Sequence, residues 1–219
     1  MPAKPAATLP RERALLQQTY LKYKICVSGS AETSTCSPDA LDKAKELGRQ
    51  VVLHNGVLVT GATTGIPYWA AIGAKEAGGI VIGISPATSE LEHVKKYRLP
   101  MDYHDLIIYT GFDYSGRNLL LVRSADAVIE VCGRIGTLNE FTIAFEDQKP
   151  VGVLEHCGGT SEMIREIILK GHRGPGKTVY DPDPKILIDK VIALIDKEKV
   201  VPIPKYEYAK GRPSTRKRG

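Results

Sequence analysis

From Lys24 onward, short runs of β-branched residues alternate with stretches of helical period. The runs are KICVSG (24–29), VLVTG (57–61), IVIGIS (80–85), LIIYTG (106–111), AVIEVC (127–132) and PVGVL (150–154). Between the first two, Ser37-Pro38-Asp39 opens a helix, with Ser37 as N-cap and Pro38 at the first helical position. Its apolar residues Ala40, Leu41, Ala44, Leu47 and Val51 share one face. A second helix runs through Ala70, Ala71, Ala74 and Ala77 until Gly78-Gly79 stops it. Further helices are predicted from Gly116 to Ser124, Leu138 to Asp147, Ser161 to Lys170 and Pro184 to Lys197. Strands apolar on both faces and separated by helices mean a parallel sheet covered on both sides. The class is α/β: a doubly wound, mostly parallel Rossmann-like sheet with helices on both faces. One such nucleotide-binding domain is expected over 24–199, after an N-terminal extension (1–23) and before a basic, disordered tail (200–219).

Composition leaves this picture intact. Of the 219 residues, 42% are hydrophobic and 25% charged, which excludes fibrous and wholly disordered chains. No apolar run approaches the roughly 20 residues of a membrane span. The N-terminus has prolines and charges where a signal peptide would be apolar, so a cytoplasmic protein is expected, with no membrane partner. Residues 197–219 carry eight Lys/Arg and two Glu, which leaves 1–196 near neutrality within a net charge of +5. That tail reads as a solvated terminus, with nucleic-acid contact as the lesser alternative. Cys26, Cys36, Cys132 and Cys157 form no C-x-x-C pair, so neither a zinc site nor a disulfide framework is expected. Cys26 and Cys132 read as small hydrophobes. The five histidines have no metal-ligand spacing, and His156 alone lies near a candidate ligand loop. No metal and no resident cofactor are expected.

In a doubly wound sheet, ligands bind beyond the carboxyl ends of the strands, where strand order reverses. The turns after Gly29 and Val131 should face each other there. Three strand-to-helix turns share a glycine- and hydroxyl-rich character: Gly29-Ser30-Ala31, Gly61-Ala62-Thr63-Thr64-Gly65 and Gly133-Arg134-Ile135-Gly136-Thr137. Glycine lets backbone N–H groups approach an anion, and a helix N-terminus adds positive potential. A phosphate-bearing small molecule is the ligand this implies. None of the turns has the G-x-G-x-x-G of dinucleotide binding. Arg134 should reach the phosphate; the competing account pairs it with a surface carboxylate such as Glu130 or Asp113. Glu140, early in the helix after the third turn, serves either catalysis or the helix N-terminus. Gly171-His172-Arg173-Gly174-Pro175-Gly176-Lys177-Thr178 spells a P-loop, but a helix precedes it and prolines follow, so nucleotide binding there is not expected.

Arg117-Asn118, followed by Ala125-Asp126-Ala127-Val128-Ile129 and Gly133-Arg134-Ile135-Gly136-Thr137-Leu138-Asn139-Glu140, resembles the Lonely Guy (LOG) family, often mislabelled lysine decarboxylases. That superfamily also includes molybdenum-cofactor carrier proteins. The resemblance spans about Lys24 to Val153. It implies a phosphoribohydrolase that splits a nucleoside 5′-monophosphate into base and ribose 5-phosphate, working as a homodimer or larger. Arg117 and Glu140 would be catalytic, and Gly133, Gly136 and Thr137 would hold the phosphate. Gly29, Ser30, Gly61, Thr63, Thr64, Gly65, Asn118 and Arg134 complete the expected ligand set. Cys132, Arg134 and Asn118 depart from the family's proline, glycine and lysine. These departures mark a divergent branch near the carriers, and they make a non-catalytic nucleotide or phosphorylated-cofactor carrier the alternative.

Overall fold

Seven parallel strands form one sheet in the order β4-β3-β2-β1-β5-β6-β7 in the computed structural model, which describes residues 22–197. They are β1 (Lys24–Gly29), β2 (Val57–Thr60), β3 (Val81–Ser85), β4 (Leu106–Tyr109), β5 (Ala127–Val131), β6 (Val151–Leu154) and β7 (Thr178–Asp181). The helices are α1 (Ala40–Leu53), α2 (Ile66–Glu76), α3 (Glu90–Lys95), α4 (Asp113–Ser124), α5 (Ile135–Glu146), α6 (Ile164–Gly171) and α7 (Pro184–Asp196). The extension and the basic tail lie outside the described residues.

Alternation along the strands sorts the core into two layers. Ile25 and Val27 of β1 and Ile129 of β5 face α1, α2 and α7, packing with Leu47, Ala70, Leu187 and Ile188. Cys26 and Val128 face the opposite way, onto Leu121 and Val122 of α4 and Phe141 and Ala144 of α5. Each large side chain buried this way contributes about 1.5–3 kcal/mol of transfer free energy. Both sheet faces are therefore covered, as the apolar strands require.

Several expectations need correction. α1 begins at Ala40 because the Ser37 hydroxyl donates to Asp39 Oδ1 at 2.7 Å. The first bond of helical spacing there is Lys43 N–H to the Asp39 carbonyl, at 2.9 Å. Ser37 is thus spent on the N-cap residue Asp39, three residues before the helix begins. α5 begins at Ile135 rather than Leu138, which puts Gly136 and Thr137 inside its first turn. β7 and the short α3 were not anticipated. The largest correction concerns cysteine. Cys36 and Cys132 are joined by a disulfide with Cα atoms 5.5 Å apart, across a sequence separation of 96. Strand order explains it: β1 and β5 pair directly, so the segments that leave their carboxyl ends meet. Among the described residues, no helix is long and apolar enough to cross a membrane.

Candidate ligand cleft

The pairing of β1 with β5, Gly29 opposite Val131, sets the position of the cleft. From that pair the chain leaves toward α1 on one face and α5 on the other, and the backbone parts between them. The opening is a cleft of about 530 Å³. Its lining includes Gly29, Ser30, Gly61, Thr63, Thr64, Arg117, Asn118, Arg134, Gly136, Thr137 and Glu140 of the expected set. Gly65 and Gly133 do not line it. Gly65, at φ +68°, packs so tightly on the first turn that a Cβ would stand 2.3 Å from the Ser30 carbonyl oxygen. The Gly133 carbonyl accepts the Thr160 N–H at 3.0 Å, which anchors the third turn to the following loop.

The three turns are not equivalent as anion sites. The first N–H of α2, from Ile66, is bonded to the Ser30 carbonyl at 2.9 Å, and Pro67 has no N–H to offer. The second turn is thereby stitched to the first, and the Thr64 hydroxyl adds a bond to the Ala31 carbonyl at 3.1 Å. The α5 end differs. Arg134, its N-cap, makes no side-chain cap, and no acidic residue occupies the first turn. Intrahelical bonding starts with Leu138 N–H to the Arg134 carbonyl at 3.0 Å, so the N–H groups of Gly136 and Thr137 point past the helix end. A Cβ on Gly136 would meet nothing within 4 Å, so a ligand can approach this backbone closely. Of the three turns, this one leaves helix N-terminal donors open at the cleft.

The floor is a buried polar cluster. Arg117 Nη1 donates to Glu140 Oε1 at 3.2 Å, with Arg117 5% and Glu140 6% exposed. The Ser28 hydroxyl donates to Glu140 Oε2. Asn118, with its amide nitrogen turned toward Glu140, donates to Oε1 at 2.7 Å and to the Tyr114 carbonyl at 2.9 Å. Arg117 has room because Gly61 lies beside it: a Cβ there would stand 2.2 Å from Nη1. Its Nε is buried without a hydrogen-bond partner. Burial pushes the Glu140 carboxyl above its usual range, against the opposing pull of Arg117 and the Ser28 hydrogen bond. Behind this floor lies Glu130, fully buried rather than on the surface. At the cleft mouth Arg134 Nη1 is 3.8 Å from Glu32 Oε2, so its carboxylate neighbour is Glu32 and not Glu130 or Asp113. With 63% of its side chain exposed, Arg134 remains free to turn toward a ligand.

Sequence reasoning missed Ser28, Glu32 and Tyr114 as lining residues. Ser28 was readable in principle, because it shares a strand face with Cys26, two residues earlier. His156 is exposed and lines no part of the cleft. The P-loop-like stretch joins α6 to β7, the reverse of the strand–loop–helix order that a phosphate nest requires.

A parallel sheet with its cleft at the switch point defines a Rossmann-like α/β fold. The chain belongs to the SLOG cluster4 family, which it matches over residues 22–187. The resemblance to the LOG family holds at this superfamily level. An uncharacterized protein of Archaeoglobus fulgidus is 33% identical over 132 residues, 60% of this chain and 80% of that protein. Among solved structures, the molybdenum cofactor carrier protein of Chlamydomonas reinhardtii is 30% identical, with a TM-score of 0.66 over 80% of this chain and 99% of its own. The molybdenum cofactor binding protein of the phototrophic bacterium Rippkaea orientalis is 31% identical, with a TM-score of 0.64 over 82% of this chain and 99% of its own.

Proposed function

We propose that the chain binds a phosphorylated small molecule in this cleft and carries it unchanged. The observation behind this reading is a contrast within the cleft. Donors are open at the α5 N-terminus, whereas both oxygens of Glu140 are engaged by Ser28, Arg117 and Asn118. A phosphate needs donors, while activation of a water needs a carboxylate oxygen able to reach it. The likeness to molybdenum cofactor carrier and binding proteins supports the same reading. The cargo class is then a nucleotide or a phosphorylated cofactor, the molybdenum cofactor among them. Gly136 and Thr137 would hold the phosphate through backbone N–H groups and a hydroxyl, with Arg134 closing over it. Tyr114, a cleft residue 46% exposed with the Arg117 guanidinium over its ring, would add an aromatic wall beside the ligand.

A second reading, hydrolysis of a nucleoside 5′-monophosphate, is favoured by the meeting of Arg117 and Glu140 at 3.2 Å. A carboxylate at this place would stabilise an oxocarbenium-like transition state. Calorimetric titration with a nucleoside 5′-monophosphate and its parent nucleoside, followed by chromatography for free base, separates the two. Carriage predicts monophosphate binding at least about tenfold tighter than the nucleoside, a margin set by charge-assisted hydrogen bonds, and no free base. Equal affinities would remove the anion site. Release of base, lost in Glu140→Gln while binding stays within about tenfold, would establish the hydrolase instead.

A further inference from the structure

Glu130 stands where the strand pattern calls for an apolar residue. It follows Val128 on the face of β5 that packs beneath α4 and α5, among Cys26, Leu121 and Phe141. It is 0% exposed, and neither of its carboxyl oxygens has a hydrogen-bond partner among the described residues. Its register partner on β1 is Ser28, whose single hydroxyl proton is given to Glu140. Its partner on β6 is the apolar Val153. The titratable groups beside it are Glu140 from α5 and the Cys26 thiol from β1, and Arg117 from α4 is bonded to Glu140. Two buried carboxyls thus neighbour each other, and the guanidinium of the floor is bonded to Glu140.

A buried carboxylate without a hydrogen bond of its own costs several kcal/mol, which favours the neutral acid at Glu130. Burial, and after it the charge of Glu140, pushes its carboxyl well above the usual range, against the weaker opposing pull of the nearby Ser28 hydroxyl. The floor of the cleft consequently has three charge states. With both acids protonated, Arg117 leaves it positive; with one proton it is neutral; with none it is negative. The buried, unpartnered Nε of Arg117 belongs to this same floor.

We propose that Glu130 and Glu140 hold one proton between them and thereby set the anion affinity of the cleft, Glu130 acting as a positioning residue through Ser28 and Glu140. This rests on the anion-binding reading above. Glu130 touches no ligand; it decides how much negative charge the ligand meets. Loading is then linked to proton uptake and release to proton loss.

Sulfate is a suitable probe, because it does not titrate near neutrality. Its affinity for the full chain, measured by calorimetry from acid to alkaline pH, should fall in two steps as the floor loses its two protons. Each step should amount to about tenfold or more for a dianion near a buried unit charge. Glu130→Gln, which keeps the shape and removes the proton, should abolish the more alkaline step. Glu130→Asp should restore it. Parallel sulfate profiles for wild type and Glu130→Gln would overturn the inference while leaving the anion site standing. Absence of sulfate binding at every pH would overturn the anion-binding reading itself. In that case carboxyl ¹³C NMR of the wild-type chain still decides the proton sharing. Two coupled titrations that collapse to one in Glu130→Gln support it, and an unchanged Glu140 titration rejects it.

Discussion

Glu130 interrupts a row of apolar side chains on β5, and the cost of that interruption depends on pH. Its folded-state affinity for a proton is raised above that of the unfolded chain. A carboxyl of this kind stabilises fully below its unfolded pKa, and the contribution is lost as pH rises toward the folded value. Above about pH 4.5 the gap in stability between Glu130→Gln and wild type should therefore widen in favour of the variant, by about 1.4 kcal/mol for each pH unit. Urea unfolding of both chains at pH 5 and pH 7 measures it, and a constant gap would show that Glu130 is not held neutral. The placement of Arg117, Gly136, Thr137 and Glu140 in one cleft was legible in the sequence, because the resemblance fixes the spacing of the motif. Ser28 was readable only as a residue on the Cys26 face of β1; that it meets Glu140 depends on neighbours across the sheet. Glu130 was misread as a surface group for the same reason: only the covering helices α4 and α5 make its position an interior one.

At the scale of elements, the sheet was legible and its edges were less so. β1, β2, β3, β5 and β6 are mostly apolar and buried on both faces, which is the pattern a central parallel strand needs. β7 is only partly buried along its length, and its Thr-Val-Tyr-Asp sequence offers no uninterrupted apolar run. α3 spans six residues, too few for a helical period to declare itself. β7 also decides the P-loop question. Because Lys177 leads into a strand, no helix N-terminus follows to supply donors or dipole. Lys177→Ala should therefore leave nucleotide affinity within about twofold of wild type in an equilibrium titration, whereas loss of a phosphate-cradle lysine would be far more damaging. The turns show the converse limit. All three glycine-rich stretches look alike as text, yet the Ile66 to Ser30 bond closes the second and leaves α5 as the open helix end.

Across the whole molecule, the Cys36–Cys132 disulfide is the feature least visible from the sequence. No local spacing announces a bond between residues separated by 96 positions. The bond depends on β1 and β5 being neighbours, which is a property of strand order. In covalent terms it turns residues 36 to 132 into a ring that carries β2, β3, β4 and β5 together with α1 through α4. A ring tolerates one cut without coming apart. A single protease nick between α3 and β4, where Met101 and Tyr103 are exposed, should leave one band on a denaturing gel without reductant and two with it. Two bands under both conditions would mean that the bond is absent. The protein should thus survive a backbone break across the half of its sheet that bears β2, β3 and β4, while a break beyond Cys132, toward β6 and β7, would release its fragment as soon as the chain unfolds.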